Sequence, residues 1–306
     1  MSRRHGARGE ALVTGAGGYL GGAIVGALVD DGWQVRAMIH RADSKRDVEG
    51  LGATAFLGDV LEPETVDTAL RDCDLVIHVA TASALGPGGA RAAERVRVGG
   101  CQNLLRSARR HGVRRLVVGS GYWVYADTPD TITEESSLDP RGESLINRKT
   151  ELAALDPVAQ GPVEVLVVRP GMVYGDGSWF RTTVDAIRNG PYRYIGDGLN
   201  AWSFVSLKDA GRGFARVAET GVPGEVYNLV DGRPVSWKEF GDFVADRLSC
   251  PRPSSLSPSA ADAEYGPDVS YHLRARRACS SAKIERLGWR PRIPDVRAGV
   301  SALLSP

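Results

Sequence analysis

Three glycines, Gly15, Gly18 and Gly21, stand inside the segment TGAGGYLG that runs from Thr14 to Gly21. That spacing suits a phosphate-handling turn: the first glycine allows a sharp bend, the second lets backbone approach a pyrophosphate, and the third lets a helix pack closely on a strand. A helix starting there adds unpaired N–H groups and the positive end of its dipole. Tyr19 and Leu20 open that helix and belong to the expected cofactor contacts. About 20 residues further on, an NAD enzyme carries an acid for the ribose 2′-hydroxyl. His40 and Arg41 occupy that place, with Ser44, Lys45 and Arg46 behind them. Arginine grips phosphate through a planar fork, so the cluster favours a 2′-phosphate and hence NADPH. The other reading is a set of solvated loop charges, with Asp43 among them.

To act together these residues must meet at one edge of a sheet. Apolar residues 11–13 lead into the glycine loop as a buried strand, and amphipathic residues 19–29 leave it as a helix, the context such a motif requires. Further strands are expected at 34–39, 53–57, 75–79, 115–118 and 163–168, with a long helix over 91–111 whose Val96, Leu104 and Leu105 face inwards. Six strands separated by helical segments predict an α/β fold, a doubly wound parallel Rossmann sheet. Ligands of such sheets lie beyond the C-terminal strand ends. That brings in Asp59 and Val60 after the third strand, Ala80 after the fourth and Ser120 after the fifth. Asp59 can accept from an adenine amino group or cap the next helix. Beyond about residue 170 the pattern changes to short strands at 202–205 and 226–230. A Pro-, Ser- and Ala-rich stretch over 250–267 is expected as a surface loop. Trp179, Phe180, Tyr192, Tyr194 and Trp202 are available to line a pocket. Ser83, Tyr122, Trp123, Met172, Trp179 and Trp202 are the residues expected to meet a substrate. The expected organisation is a dinucleotide-binding domain over 1–170 and a small, mainly substrate-binding C-terminal lobe over 171–306, some of whose segments return to the first domain.

Bulk composition agrees with this class. At 306 residues and 42% hydrophobic content the chain has material for a large α/β unit and an appendage. A net charge of +1 with 25% charged residues argues against a nucleic-acid or membrane-surface binder. Five arginines between Arg106 and Arg115 fall at a helix C-terminus, where cations are favoured, and read as a solvated face. Cys73, Cys101, Cys250 and Cys279 have neither paired spacing nor histidine partners, so neither a disulfide framework nor a metal site is expected. The basic N-terminal stretch lacks a signal-type apolar core and no stretch approaches 18 apolar residues, so a cytoplasmic location is expected. The expected partner is a small aromatic molecule, with no nucleic acid and no membrane; the sequence selects no oligomeric state.

In order along the chain, these motifs resemble the extended short-chain dehydrogenase/reductase superfamily, with its epimerases, dihydroflavonol-type reductases and NmrA-like atypical members. TGAGGYLG is similar to its cofactor loop, VRAMIHR at 35–41 to the NADP-binding strand of its reductases, and Gly58-Asp59-Val60 to its adenine contact. RPGMVYG at 169–175, with Pro170 and Val173, resembles the segment whose backbone meets the nicotinamide carboxamide. WSFVSLKDAG, GEVYNLVDG and KIERLGWRP are similar to markers of its C-terminal half, so the resemblance covers nearly the whole chain.

The departures from that pattern fall on the reacting groups. The family's Ser or Thr lies four residues before the Tyr of V-Y-G; here Val124-Tyr125-Ala126 puts that place at Gly121, and a shift of one residue would promote Ser120. Its catalytic Tyr lies four residues before a Lys, so that a helix presents both on one face. Lys149 is kept, and the Tyr place holds Leu145. The active-site Asn place holds Arg97. The resemblance implies Lys149 at the nicotinamide ribose and Ser120 as the candidate hydroxyl, with Tyr122 and Tyr125 as competing donors. Two functions remain open. One is an NADPH-dependent ketoreductase of a bulky aromatic natural product, akin to tailoring reductases of aromatic polyketides, with a proton drawn from the substrate itself. The other is a non-catalytic NADP(H)-binding sensor or scaffold of the NmrA-like kind.

Overall fold

Apolar runs between helical segments become a parallel sheet covered on both faces, because each strand must bury both of its surfaces. The computed structural model describes residues 8–83 and 86–305, so most of the basic N-terminal stretch read for targeting lies outside the described residues. The strands are β1 (Glu10–Thr14), β2 (Gln34–Ile39), β3 (Thr54–Leu57), β4 (Leu75–His78), β5 (Arg115–Gly119), β6 (Glu164–Pro170), β7 (Met172–Tyr174), β8 (Arg193–Ile195), β9 (Ala201–Trp202), β10 (Phe204–Ser206), β11 (Val226–Leu229), β12 (Val235–Ser236) and β13 (Ser254–Leu256). Seven form one parallel sheet in the order β11-β6-β5-β4-β1-β2-β3. The chain winds outwards from β1 in one direction and from β4 in the other, and a crevice opens where the order reverses. β11 is more than a short strand beyond the sheet: it pairs with β6, Val226 opposite Val167, and closes one edge.

Alternation along each strand feeds two cores. Ala11 and Val13 point to the face covered by the Tyr19–Asp30 and Leu207–Thr220 helices, where Ile24, Leu28, Phe214 and Val217 are buried. Leu12 points to the other face with Leu104, Leu105 and Ala108 of the Gly100–His111 helix. The two helices on the first face touch backbone to backbone, since a Cβ at Gly211 would run into the Ala23 carbonyl.

Several expectations are corrected here. The 91–111 helix is interrupted: α-helix at Gly89–Glu94, a π turn at Arg95–Gly99, then α-helix from Gly100. A π turn re-aims the side chains that follow it. Gly99 and Gly100 keep ordinary helical angles, and what requires a glycine is the close approach at Gly100, where a Cβ would lie 2.8 Å from Val60 Cγ1. The 250–267 stretch is not a loop throughout. β13 pairs in parallel with β8, and Ser257 caps the Pro258–Tyr265 helix by accepting from the Ala260 N–H at 3.2 Å. Serine as N-cap followed by proline at the first helical position is a helix start that a composition reading as loop overlooks. Phe180, Tyr192 and Trp202 do not line the cleft at the strand ends either. They form an aromatic core with Phe204, Trp237 and Phe240, in which Trp202 stacks on Trp237 at 4.3 Å between ring centroids.

All four cysteines are free thiols. Of the arginine run, Arg110 pairs with Asp67 and Arg114 with Glu164, while Arg115 is buried and donates to the Ala218 carbonyl. No helix among the described residues is long and apolar enough to cross a membrane.

Candidate active site

The C-terminal ends of β1, β2 and β4 open into a cleft of about 640 Å³, whose walls include Gly15, Gly18, Tyr19, Leu20, His40 and Arg41. A second hollow of about 280 Å³ shares Gly15 and His40 with it and is lined by Asp59, Val60, Ala80 and Val96. Gly15 has φ +73°, and a Cβ there would stand 2.7 Å from Ala80 Cα. Gly18 caps the Tyr19–Asp30 helix and donates its N–H to the Gly15 carbonyl at 3.0 Å. A Cβ at Gly21 would overlap that same carbonyl. The loop is therefore a backbone cradle at a helix N-terminus, and it fits a dinucleotide pyrophosphate. Gly17, which the sequence reading did not single out, faces Ser44 of the basic segment so closely that a Cβ there would lie 2.8 Å from Ser44 Cβ. Arg41 is exposed, its Nε 3.4 Å from Asp43 Oδ1, whereas Lys45 and Arg46 line a separate surface hollow. Asp59 does not cap the next helix, which starts at Pro63 after Glu62; its Oδ1 accepts the Leu61 N–H at 2.8 Å in a local turn, and the residue lines the second hollow.

The other end of the cleft is walled by Met172, Val173 and Trp179. The Trp179 Nε1–H donates to the Val173 carbonyl at 2.6 Å, which fixes the indole. Ser120 is turned elsewhere. Its Oγ donates to Glu151 Oε1 at 2.5 Å, inside a buried network in which Arg169 forks onto both Glu151 oxygens at 2.7 Å. Arg169 also donates to Tyr125 Oη at 2.9 Å, and that hydroxyl donates to Asn228 Oδ1 at 2.7 Å. Burial alone would push the Glu151 carboxyl up, but the Arg169 guanidinium holds it below the usual carboxylate range. Ser120 and Tyr125 thus serve the packing of β5 and β6. Tyr122 is buried, Trp123 stacks on His272 at 4.8 Å, and Trp202 lies in the aromatic core; none of the three lines the cleft. Pro170 is buried at the end of β6, and Ser83 is exposed beside the two residues outside the description. Lys149, on the Glu143–Leu155 helix, points to Glu94 and bonds its Oε1 at 2.8 Å.

The sequence reading missed two residues. His78, at the end of β4, takes Thr14 Oγ1 at 2.7 Å on Nδ1 and reaches the Arg97 carbonyl at 3.1 Å through Nε2. A carbonyl only accepts, so Nε2 carries the proton and Nδ1 accepts from Thr14. Burial pulls the imidazole pKa down to about 4, so it stays neutral at ordinary pH. Asn147 accepts on Oδ1 from Arg97 Nη1. A histidine closing an apolar strand and an asparagine between Leu145 and Lys149 were the available signals.

Residues 11–229 match the NAD dependent epimerase/dehydratase family. The chain belongs to that family. It is 31% identical over 297 residues to a 4-hydroxy-2-methyl-3-oxo-4-farnesyl-3,4-dihydroquinoline-1-oxide ketoreductase of Stigmatella aurantiaca, covering 94% of this chain and 83% of that protein. It is 28% identical over 305 residues to a 3-diazoavenalumate denitrifying reductase of a Streptomyces species, covering 94% and 98%. Among solved structures, a dTDP-glucose 4,6-dehydratase of Streptomyces venezuelae with NAD bound superposes with a TM-score of 0.81 at 23% identity, covering 96% of this chain and 95% of that one. Within this family the chain keeps the sheet and the glycine cradle. Where the family resemblance places its two reacting hydroxyls, it has Gly121 and Leu145, the latter 45% exposed.

Proposed function

We propose that the protein is an NADPH-dependent ketoreductase acting on a bulky aromatic, polyketide-type natural product. One observation carries this reading: the reaction end of the cleft has an apolar wall of Met172, Val173 and Trp179 facing Arg97 and Glu143, with no hydroxyl at 121 or 145. A flat apolar ring suits such a wall, whereas a sugar asks for polar partners. The relatives named ketoreductase and reductase support the reaction class. The motif pattern also resembles the angucyclinone ketoreductase of simocyclinone biosynthesis, which narrows the proposed substrate to a polycyclic hydroxyketone.

NADPH supplies a hydride when bound, but no proton. His40 and Arg41 select its 2′-phosphate, and the backbone from Gly15 to Gly21 holds its pyrophosphate. The apolar wall excludes water and orients the ketone, and orientation is worth about 7–11 kcal/mol at its best. The proton comes from a phenol beside the carbonyl: its O–H breaks as the new O–H forms, and the phenolate left behind regains a proton from water after release. A positioned acid contributes on the order of 10²–10⁴ in rate. Single-turnover loss of reduced-nicotinamide absorbance, measured with a polycyclic hydroxyketone and with its phenol methyl ether, tests this. The ether should react slower by on the order of 10²–10⁴. Equal rates would remove the phenol from the mechanism. Tight NADPH binding with oxidation by no ketone would leave the non-catalytic NADP(H)-binding sensor, which Leu145 in the Tyr place also fits.

A further inference from the structure

The reaction end has lost its family's hydroxyls but not its hydrogen-bond donors. A Cβ built at Gly121 comes within 3.1 Å of Asn147 Nδ2, so the carboxamide fills the room that a serine side chain would take. Because Asn147 Oδ1 accepts from Arg97, the amide's orientation is set, with its NH₂ on the Gly121 side. That NH₂ donates to no atom among the described residues. Arg97 lines the cleft with Val79, Glu143 and Met172, and its Nε donates to Thr81 Oγ1 at 3.1 Å. Among the described residues one N–H on Nε and one on Nη1 are used, and the rest of the guanidinium fork donates to none of them.

Two features show that this placement is built in. The π turn aims Arg97, and the neutral His78 holds its backbone carbonyl at 3.1 Å, with Thr14 behind the ring. Arg97 also makes no direct ion pair among the described residues, although it is half-buried; the one carboxylate that acts on its charge is Glu143, which lines the same cleft. A guanidinium withdrawn from water without an anion in direct contact is costly, and an anionic ligand offsets that cost.

We propose that Arg97 and Asn147 form a two-donor cradle for a substrate oxyanion, in place of the missing serine and tyrosine hydroxyls. The inference rests on the reductase reading of the cleft and names its substrate class, a ketone carrying an adjacent acidic hydroxyl. As hydride forms the new C–H bond at the carbonyl carbon, the C=O π pair moves onto oxygen and the neighbouring phenol proton follows it. The charge ends on the phenoxide, and the cradle holds that charge. Arginine stays protonated throughout, so it stabilises the anion without donating a proton. Preorganised donors of this kind are worth on the order of 10²–10³ in rate.

The test uses 1-hydroxyanthraquinone, whose phenol and phenolate differ in colour, titrated against the NADP⁺-loaded protein. In the wild type the bound phenol should ionise at a pH lower by about one unit or more than in water. Arg97→Met should abolish the shift, Asn147→Leu should reduce it, and Arg97→Lys should keep part of it. A parallel arm follows single-turnover NADPH oxidation by a hydroxyketone. Arg97→Ala should lose on the order of 10²–10³ in rate with NADPH affinity held within about threefold, and added guanidinium ion should restore about tenfold. A slow Arg97→Ala that guanidinium does not restore, no dye bound to the wild type, or equal dye ionisation in wild type and Arg97→Met would each overturn the cradle. A wild type that ionises the dye through Arg97 yet oxidises NADPH with no hydroxyketone would keep the cradle and discard the reductase.

Discussion

Gly15 and Gly121 stand just beyond the C-terminal ends of two strands of one sheet, and what excludes a side chain differs between them. At Gly15 the backbone is left-handed, φ +73°, and a Cβ would strike the main chain at Ala80. At Gly121 the backbone is extended, φ −172°, and the nearest obstacle is the movable amide of Asn147. The first glycine is imposed by the path of the chain, the second by what a neighbouring side chain has come to do. The cofactor end of the cleft is thus written in backbone and tolerates few substitutions. The reaction end is written in side chains, which can be exchanged while the sheet beneath them stays.

The largest expected effect comes from attacking the backbone end. Gly18→Val should cost on the order of 10²–10³ in NADPH affinity, about 3–4 kcal/mol, because a branched side chain would stand where the pyrophosphate approaches. Gly18 has an ordinary extended conformation, φ −92°, so far-UV circular dichroism should stay near native. Retained NADPH binding would mean that the loop is only a turn. Next in size is Arg41→Ala, which should weaken NADPH by about 1.5–3 kcal/mol and NADH far less. Equal losses would show that Arg41 belongs to Asp43 alone.

The pH response divides along the same line. His78, on the cofactor side, titrates near 4 when folded and near 6.5 when unfolded, so it makes stability rise with pH across that window by about 1.4 kcal/mol per unit. Asp231, just past β11, is pushed up to about 7 by burial and has one oxygen without a hydrogen-bond partner among the described residues. It makes stability fall as pH rises from about 4 to 7, with a similar slope. The two nearly cancel in the wild type. In thermal melts from pH 4 to 6.5, His78→Gln should lose stability as pH rises and Asp231→Asn should gain it; parallel profiles would refute both assignments. The smallest effect is expected of Lys149→Met. An exposed ion pair with Glu94 is worth about 0–1 kcal/mol, so stability should barely move. A tenfold fall in NADPH affinity on that change would mean that Lys149 leaves Glu94 for the ribose, as the family resemblance implies.

The backbone-built half was the legible half. The glycine loop, the 34–39 strand and the inward Leu104 and Leu105 could be read because sterics and burial leave a regular mark on sequence. The sheet's edge could not. Residues 226–229 form a short apolar run, and such a run does not say which strand it joins. The π turn left no periodic trace beyond Gly99-Gly100. The aromatic residues were legible as apolar but not as facing inwards, since Trp202 and Trp179 carry the same chemistry and only packing separates core from cleft. Ser120 illustrates the remaining difficulty: position pointed it at the crevice, but Glu151, 31 residues away, captured its hydroxyl.

The helix that backs the glycine loop leans on Gly211, and the sheet's last strand ends at Leu229. A ribosome that has just finished β6 therefore holds a chain whose cofactor cradle lacks its outer support and whose β6 edge is unpaired. At about 5–20 residues per second the missing pieces arrive several seconds later. For that interval a parallel edge and the apolar side of the Tyr19–Asp30 helix stand open to other chains, a window in which a chaperone has something to hold. A circular permutant that starts at residue 207, and so makes residues 207–306 before β1, would close the window.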